Sequence, residues 1–135
     1  VNVVADWCEF ELDFRYLPNS KANVIIDKLK SIGRKYTKHF QVIVDGVQSP
    51  YSIPEKHPLV RNIVSALKKN KAKPFINGSE GATVITFFQH KNIPAVATGF
   101  GVKGLAHTAD EYVKIDTLYK GAKALEFFLK DYKFV

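Results

Sequence analysis

Hydrophobic and polar residues alternate strictly from Cys8 to Tyr16. A period of two predicts a β-strand with one apolar and one polar face. The apolar face carries Cys8, Phe10, Leu12, Phe14 and Tyr16. A second alternating run extends from His39 to Asp45, and Gly46 after it favours a turn. These two strands are too few to close a sheet by themselves.

An amphipathic helix is predicted between the two strands. After Pro18, apolar residues recur at helical spacing, with Asn19 or Ser20 available as the N-cap and Gly33 near the end. The first 46 residues are therefore expected to form strand, helix and strand. The apolar stripe of this helix comprises Ala22, Ile25, Ile26, Leu29 and Ile32.

Two prolines in the segment Ser49–Pro54 disfavour helix at the residues before them, so a boundary between two lobes is expected there. Beyond it, Pro58 suits the first turn of a helix whose apolar stripe runs from Leu59 to Leu67. The helix is expected to end in a cluster of cations, Lys68, Lys69, Lys71 and Lys73.

The rest of the chain alternates between predicted strands and helices. A short strand at 74–76 precedes a helix that Ser79 is placed to cap, and a buried strand follows at 93–98. Asp116 is the expected cap of a last helix with a broad apolar face. This alternation predicts an α/β layer architecture. The face comprises Leu118, Ala122, Leu125, Phe128, Leu129 and Tyr132.

The composition is that of a soluble globular domain. The 135 residues are 46% hydrophobic and 24% charged, and no apolar run approaches the roughly 18 residues of a membrane span. No secretory signal is visible at the start, and the single Cys8 cannot form an internal disulfide, so a reducing, cytoplasmic location is expected. Because the chain begins at Val1 and has no methionine, a processed chain or a fragment is also expected.

The formal charge of +7 comes from seventeen lysines and three arginines. The lysines are spread along the chain, and their one cluster lies where a helix dipole favours cations. This distribution favours a solvated lysine-rich surface over a nucleic-acid site. A stand-alone basic module that binds nucleic acid or an acidic partner remains the alternative.

Two further features are only weak indications of a functional site. Gly99–Gly104 matches the G-x-G-x-x-G dinucleotide pattern, yet no helix opens at the glycines and no second strand follows, so a loop is favoured. Cys8 lies on an apolar face, which favours a buried, inert thiol over a nucleophile.

The four histidines, among them His107, are far apart, and no H-E-x-x-H or paired-cysteine zinc spacing exists. His107 follows the predicted strand 93–98, at the end of a sheet where α/β proteins bind ligands, and Asp110 and Glu111 lie close behind it. A neutral imidazole is a common zinc ligand, and a carboxylate can orient it. The residues alone leave open a metal ligand or a loop histidine.

Six segments occur in an order that resembles a known family. They are Asn2-Val3-Val4, Asp13-Phe14-Arg15, Pro58-Leu59-Val60, Gly78-Ser79-Glu80-Gly81-Ala82, Ile93-Pro94-Ala95-Val96 and Ala106-His107-Thr108-Ala109-Asp110-Glu111-Tyr112-Val113. The chain is similar to the zinc aminoacylases and deacylases that include acetylornithine deacetylase, succinyl-diaminopimelate desuccinylase and carboxypeptidase G. The resemblance covers nearly the whole chain.

The resemblance implies the carboxy-terminal part of a two-domain enzyme. Residues 1–50 would be the later part of a ferredoxin-like lid that forms a homodimer, and residues 51–135 the end of the catalytic domain. In the family, two zinc ions, with cobalt or manganese as alternatives, activate a water that attacks an amide. Of the metal ligands, only His107 maps here. The general base and the other ligands lie upstream, so the chain alone is expected to be inactive.

The resemblance also assigns substrate-binding residues. Arg15 resembles the lid arginine that pairs with the substrate carboxylate, and Asn2 resembles a lid asparagine that holds substrate or oxyanion. Gly78 and Ser79 resemble a loop of the substrate pocket. For Arg15, a cross-strand ion pair with Glu9, Glu11 or Asp13, or with their partners, is an equal alternative.

The chain departs from the family pattern at two places. Ala5 stands where a proline is usual, and the segment 78–82 stands where the family often has Gly-Thr-Asp-Ala or Gly-Thr-Ser-Asp, so the resemblance does not define the substrate. The implied activity is release of an acyl group from an N-acyl amino acid or a peptide-like substrate, as in amino-acid biosynthesis. A scaffold that only dimerises is the third hypothesis.

Overall fold

The chain divides into two compact units, Val1–Pro50 and Tyr51–Val135, in a computed structural model that describes residues 2–79, 81 and 83–133. Within those residues, the first unit holds one helix and the second holds three. None of these helices is both long and apolar enough to cross a bilayer. The assignment of the units to a lid and a catalytic domain stays a prediction.

The helix of the first unit, α1, extends over Ala22–Tyr36. The predicted cap is wrong, because the N-cap is Lys21, whose side chain makes no capping hydrogen bond. The Ser20 N–H donates to the Leu17 carbonyl at 2.9 Å, so Asn19 and Ser20 belong to a turn before the helix. The apolar residues of the stripe are half-buried up to Leu29, whereas Ile32 is exposed.

Gly33 brings the chain after α1 back against the helix. A Cβ atom on Gly33 would lie 2.8 Å from Cε2 of Phe40, so the absence of a side chain lets the ring lie there. The return is fixed at Thr37, whose N–H donates to the Gly33 carbonyl at 3.1 Å. The Thr37 Oγ1 in turn accepts the His39 N–H at 3.0 Å. Phe40 therefore lies beside the last turns of α1.

Two helices form the core of the second unit: α2, Pro58–Lys69, and α4, Ile115–Asp131. The two helices contact each other, and Ala66 of α2 and Ala124 of α4 are each only 1% exposed. The Asn70 Nδ2 donates to the Lys120 carbonyl at 2.5 Å and adds a polar contact between them. The other buried residues of the two helices are Val60, Ile63 and Gly121.

The predicted apolar face of α4 is only partly correct. Leu118 and Leu129 remain 47% and 60% exposed, although both belong to that face. Burial falls instead on two small residues, Gly121 and Ala124, and the Phe100 ring lies against Gly121. Helical periodicity thus identified the helix without identifying the strip that packs.

Each end of α2 is capped. The Nδ1 atom of His57 accepts the Leu59 N–H at 3.2 Å, and Pro58 opens the helix as predicted. At the other end, Lys71 has a φ of 57°. Its N–H donates to the Lys68 carbonyl at 2.9 Å, and the N–H of Ala72 donates to the Leu67 carbonyl at 3.0 Å. This is a Schellman cap, in which a left-handed residue closes the helix.

Replacement of Lys71 by glycine is expected to raise the free energy of unfolding by about 0.5–1 kcal/mol. A non-glycine residue in the left-handed conformation costs roughly 1–2 kcal/mol, and glycine removes this cost. Glycine also has more conformational freedom in the unfolded chain, which offsets part of the stabilisation. Urea unfolding measures the change. Lys73→Gly removes the same charge nearby without a left-handed φ and should give no gain. A Lys71→Gly variant less stable than the parent would contradict this account of the cap.

The remaining helix starts differ from the predictions. Helix α3 covers only Ile85–His90, and Ser79 does not cap it, because its Oγ accepts the Gly81 N–H at 3.1 Å in a turn upstream. Helix α4 has Lys114 as its N-cap, so Asp116 lies in the first turn. An acidic residue there still interacts favourably with the positive end of the helix dipole.

The described residues form no β-strand, whereas the sequence predicts strands at 8–16, 39–45, 74–76 and 93–98. Phe10 and Phe14 are 73% and 52% exposed, and Cys8 is exposed instead of buried. A strand requires a neighbouring strand to pair its backbone N–H and C=O groups, and alternation predicts a face without supplying that neighbour. The α/β class therefore stays a prediction.

The segment 93–98 nevertheless packs on the helices of its unit. It contributes to an apolar groove of about 290 Å³ together with side chains of α2, α3 and α4. The Ala95 N–H donates to the hydroxyl of Tyr51 at 3.0 Å, which fixes the segment at its middle. The helical side chains that line the groove are Leu59, Ile63, Phe88, Leu125 and Phe128.

An ion cluster lies on the exposed surface of α4. Glu126 accepts hydrogen bonds from Lys123 at 2.7 Å and from Lys130 at 2.5 Å. The hydrogen bond from Lys123 is the largest cause of a lowered pKa at Glu126, and the hydrogen bond from Lys130 and the two positive charges add to it. Together they lower the pKa of Glu126 from 4.5 to about 2. Because the folded-state pKa is lowered, the cluster stabilises α4 at neutral pH, and that contribution disappears as the pH falls from 4.5 towards 2.

Candidate functional site

The loop before α4 folds into a series of turns that carries His107. The Thr108 N–H and hydroxyl both donate to the Leu105 carbonyl, at 3.2 and 2.8 Å. The Glu111 N–H then donates to the Thr108 carbonyl at 3.3 Å. No helix opens at Gly99–Gly104, because α4 begins only at Ile115. The geometry required for dinucleotide binding is therefore missing in this loop.

His107 has a left-handed backbone, with φ of 64°. This conformation costs a non-glycine residue roughly 1–2 kcal/mol, and such residues concentrate at functional sites. The carboxylate of Glu111 offsets part of the cost, because its Oε2 accepts the His107 N–H at 3.0 Å. The imidazole itself is exposed. The turn thus holds the backbone and leaves the ring available to a ligand.

The described residues contain no group of three or more His, Cys, Asp and Glu side chains that could hold a metal ion. A tetrahedral zinc site needs three or four protein ligands, so these residues do not form a metal centre by themselves. His57 lies directly before α2, where its Nδ1 atom caps the helix. His107 can supply a single ligand.

The glycine-rich loop is anchored to α4 through contacts that the sequence did not reveal. The Thr117 hydroxyl lies between two carbonyl oxygens and shares its one hydrogen between them, at 2.9 Å from that of Phe100 and 2.7 Å from that of Lys114. A Cβ atom on Gly121 would lie 2.5 Å from the Phe100 ring, so the ring rests directly on the helix backbone. The only sequence signal was the glycine in the middle of a predicted helix, where glycine is otherwise unfavourable. These contacts fix the chain shortly before His107.

The turn containing Gly78 and Ser79 is exposed, and a Cβ atom on Gly78 would meet nothing within 4 Å. The two flanking residues Glu80 and Ala82 lie outside the described residues. Among the described hydrogen bonds, none joins this turn to the His107 loop. A role of Gly78 and Ser79 in substrate binding stays a prediction.

In the first unit, Asn2 is exposed, and the guanidinium of Arg15 pairs with the carboxylate of Asp13 at 3.1 Å. Both partners are more than half exposed, so the pair contributes little to stability. One of the two alternatives for Arg15, an ion pair with a nearby carboxylate, is therefore present. The substrate-binding roles of Arg15 and Asn2 stay predictions.

The sequence is similar to a family of peptidases and to curated hydrolases. The profile of the Peptidase family M20/M25/M40 matches residues 10–131. The [LysW]-lysine/[LysW]-ornithine hydrolases of Saccharolobus islandicus and Saccharolobus solfataricus are 28% and 29% identical to this chain over 122 residues. These alignments cover 90% of this chain and 34% of each relative.

The chain thus spans about a third of the length of the curated relatives that it matches. No solved structure matches it at a significant level. The family profile covers most of both units and includes the His107 loop. This chain therefore belongs to the Peptidase family M20/M25/M40.

Proposed function

We propose that this chain is the carboxy-terminal part of a metal-dependent amidohydrolase that releases an acyl group from an N-acyl amino acid or a peptide-like substrate. The observation that carries the proposal is the His107 turn, within a chain that belongs to a peptidase family. An exposed imidazole on a backbone held by Glu111 suits a metal ligand. The partner that completes the site is the upstream segment of the same protein.

The proposed metal is zinc, with cobalt or manganese as alternatives. When bound, it would activate water and polarise the amide carbonyl. Within this chain, His107 would donate one ring nitrogen to the metal, while Glu111 holds the backbone of the ligand. The remaining ligands and the general base would come from the upstream segment, as in the family that the sequence motifs resemble. The chain alone would then lack activity.

The proposed substrate is an amide whose amino half is an amino acid such as lysine or ornithine. This choice follows the names of the curated relatives, which hydrolyse [LysW]-lysine and [LysW]-ornithine. Acetylornithine deacetylase and succinyl-diaminopimelate desuccinylase are related possibilities from the sequence motifs. In this proposal Arg15 pairs with the substrate carboxylate, Asn2 assists it, and Gly78 and Ser79 line the pocket.

The fold proposed for the whole protein is α/β. The segments 8–16 and 39–45 would then become strands of a lid domain that also forms a homodimer, and 93–98 would become a strand of the catalytic sheet. The packing of 93–98 on α2 and α4 supports this, because a sheet in a layered architecture lies on such helices.

The test compares this chain with the whole protein encoded by the reading frame that contains it. Each is assayed for amine release from N-acetylornithine, N-acetyl-lysine and N-succinyl-diaminopimelate, with zinc, with cobalt and with a chelator. We expect metal-dependent hydrolysis by the whole protein and none by residues 1–135. Zinc-dependent hydrolysis by residues 1–135 alone would contradict the proposal that an upstream segment completes the site. An inactive whole protein would contradict the proposal that it is an amidohydrolase acting on such substrates.

A further inference from the structure

The first unit contains a basic pocket that the proposed hydrolase does not use. An open depression of about 520 Å³ lies beside the last turns of α1, a size that suits a small molecule. Its walls carry three cations and one hydroxyl above an apolar surface. The lining residues are Lys30, Arg34, Thr37, Lys38, Phe40 and Val42.

The three cations that line the pocket are close in sequence, and two of them repel each other within α1. Lys30, Arg34 and Lys38 follow one another at intervals of four residues. Lys30 and Arg34 lie within α1, where like charges four residues apart destabilise the helix, and Lys38 follows two residues after the helix ends. The ion pairs of the described residues include none of the three, although α1 carries a carboxylate at Asp27. An anion between them would remove the repulsion.

The helix dipole explains only part of this charge. Cations in a last turn are favoured, and Arg34 and Lys35 are the basic residues of the last turn of α1. The dipole effect falls off within one turn, so it does not account for Lys30. Residues 21–42 hold six cations and one carboxylate, and three of the six cations line the pocket.

The remaining lining residues suit an anion with an apolar part. The Thr37 Oγ1 accepts the His39 N–H, so its own hydrogen is available to donate to a bound oxygen. Phe40 is held in place by its close contact with Gly33, and with Val42 it supplies an apolar wall. A guanidinium binds phosphate or carboxylate through two parallel hydrogen bonds.

We propose that this pocket binds a small organic anion that carries a phosphate or a carboxylate group. Arg34 contacts two oxygen atoms of the anion, Lys30 and Lys38 supply charge from either side, and the Thr37 hydroxyl donates the remaining hydrogen bond. The carbon part of the ligand lies on Phe40 and Val42. The site belongs to the first unit and does not depend on His107 or on a metal.

The experiment titrates residues 1–135 with phenyl phosphate at constant ionic strength and follows the backbone amides by NMR. Inorganic phosphate reports the contribution of the apolar wall, and benzoate distinguishes a carboxylate ligand from a phosphate. We expect saturable shifts confined to residues 30–42, with phenyl phosphate tighter than inorganic phosphate. Saturation by benzoate at the same residues would support the site with a carboxylate ligand.

The matched variants are Arg34→Gln and Lys35→Gln. Both remove one positive charge from neighbouring positions of α1, but only Arg34 lines the pocket. Loss of a charge-assisted hydrogen bond should weaken phenyl phosphate binding about tenfold or more in Arg34→Gln, and Lys35→Gln should change it less than about twofold. Circular dichroism verifies that α1 persists in both variants.

Equal effects of the two variants, or shifts spread over lysines of the whole chain, would overturn the pocket in favour of a general attraction of anions. The absence of saturable shifts with all three probes would overturn it as well. Either result leaves the hydrolase proposal untouched, because that proposal is tested by amine release.

Discussion

Replacement of His107 by asparagine is expected to lower amide hydrolysis by the whole enzyme by at least about 100-fold. Asparagine adopts the left-handed backbone of this position readily, so the turn should persist while the imidazole is lost. Mutation of residues that merely orient a metal ligand already costs about 10–100-fold, and loss of the ligand itself should cost no less. The measurements are kcat/KM and the zinc content of the purified protein.

The matched control is His90→Asn, since His90 is an exposed histidine at the end of α3. We expect it to retain both zinc and activity. A His107→Asn enzyme with full zinc content and unchanged kcat/KM would show that His107 is a loop histidine, which is the alternative that the residues alone leave open.

Variants of Glu111 test the same site independently, because Glu111 contacts the backbone of His107 instead of the ring. Glu111→Ala removes the acceptor of the His107 N–H and should weaken zinc binding about tenfold. Glu111→Gln retains a carbonyl oxygen that can accept this N–H, so it should restore most of the affinity. If both variants lose zinc equally, Glu111 acts through its charge and not through the turn.

Replacement of Gly121 by alanine is expected to destabilise the second unit by about 1–3 kcal/mol, which is the usual cost of overpacking a filled site. On a free helix the same change would stabilise by about 1 kcal/mol. Here the new Cβ atom would lie 2.5 Å from Cγ and Cδ1 of Phe100, so the ring and the glycine-rich loop must move. Urea unfolding of residues 1–135 measures the loss.

A double mutant separates the clash from other effects. In a Phe100→Ala background the Cβ atom on residue 121 meets no ring, so Gly121→Ala should now stabilise the unit by roughly 1 kcal/mol. The reversal of sign identifies the contact. Destabilisation of equal size in both backgrounds would show that Phe100 is not the neighbour that requires glycine.

The helices were largely available from the sequence, and their ends were not. The spacing of apolar residues predicted α2 and α4 because helical periodicity is a local property of the chain. The caps predicted at Asn19 or Ser20, at Ser79 and at Asp116 were wrong because the preceding backbone determines where a helix begins. Asn19 and Ser20, for example, belong to a turn before α1. A side chain can cap a helix only where the backbone places it next to the free N–H groups of the first turn.

The family and the candidate ligand were also available from the sequence, through the order of short motifs and the residues around His107. The left-handed backbone of His107, the Glu111 contact and the cluster around Arg34 required three-dimensional coordinates. Each depends on which groups a turn brings within hydrogen-bonding or van der Waals distance, and residue order alone does not fix that distance.

The amino-acid sequence by itself determined which segments of this protein form helices, though not their ends, and to which family its motifs point. Tertiary structure alone decided that Gly121 and Ala124 form the packed strip of α4, and that Phe100 rests on Gly121. The physical reason is that periodicity records the preference of each residue for a face. Packing depends in addition on the volume of the partner that meets that face.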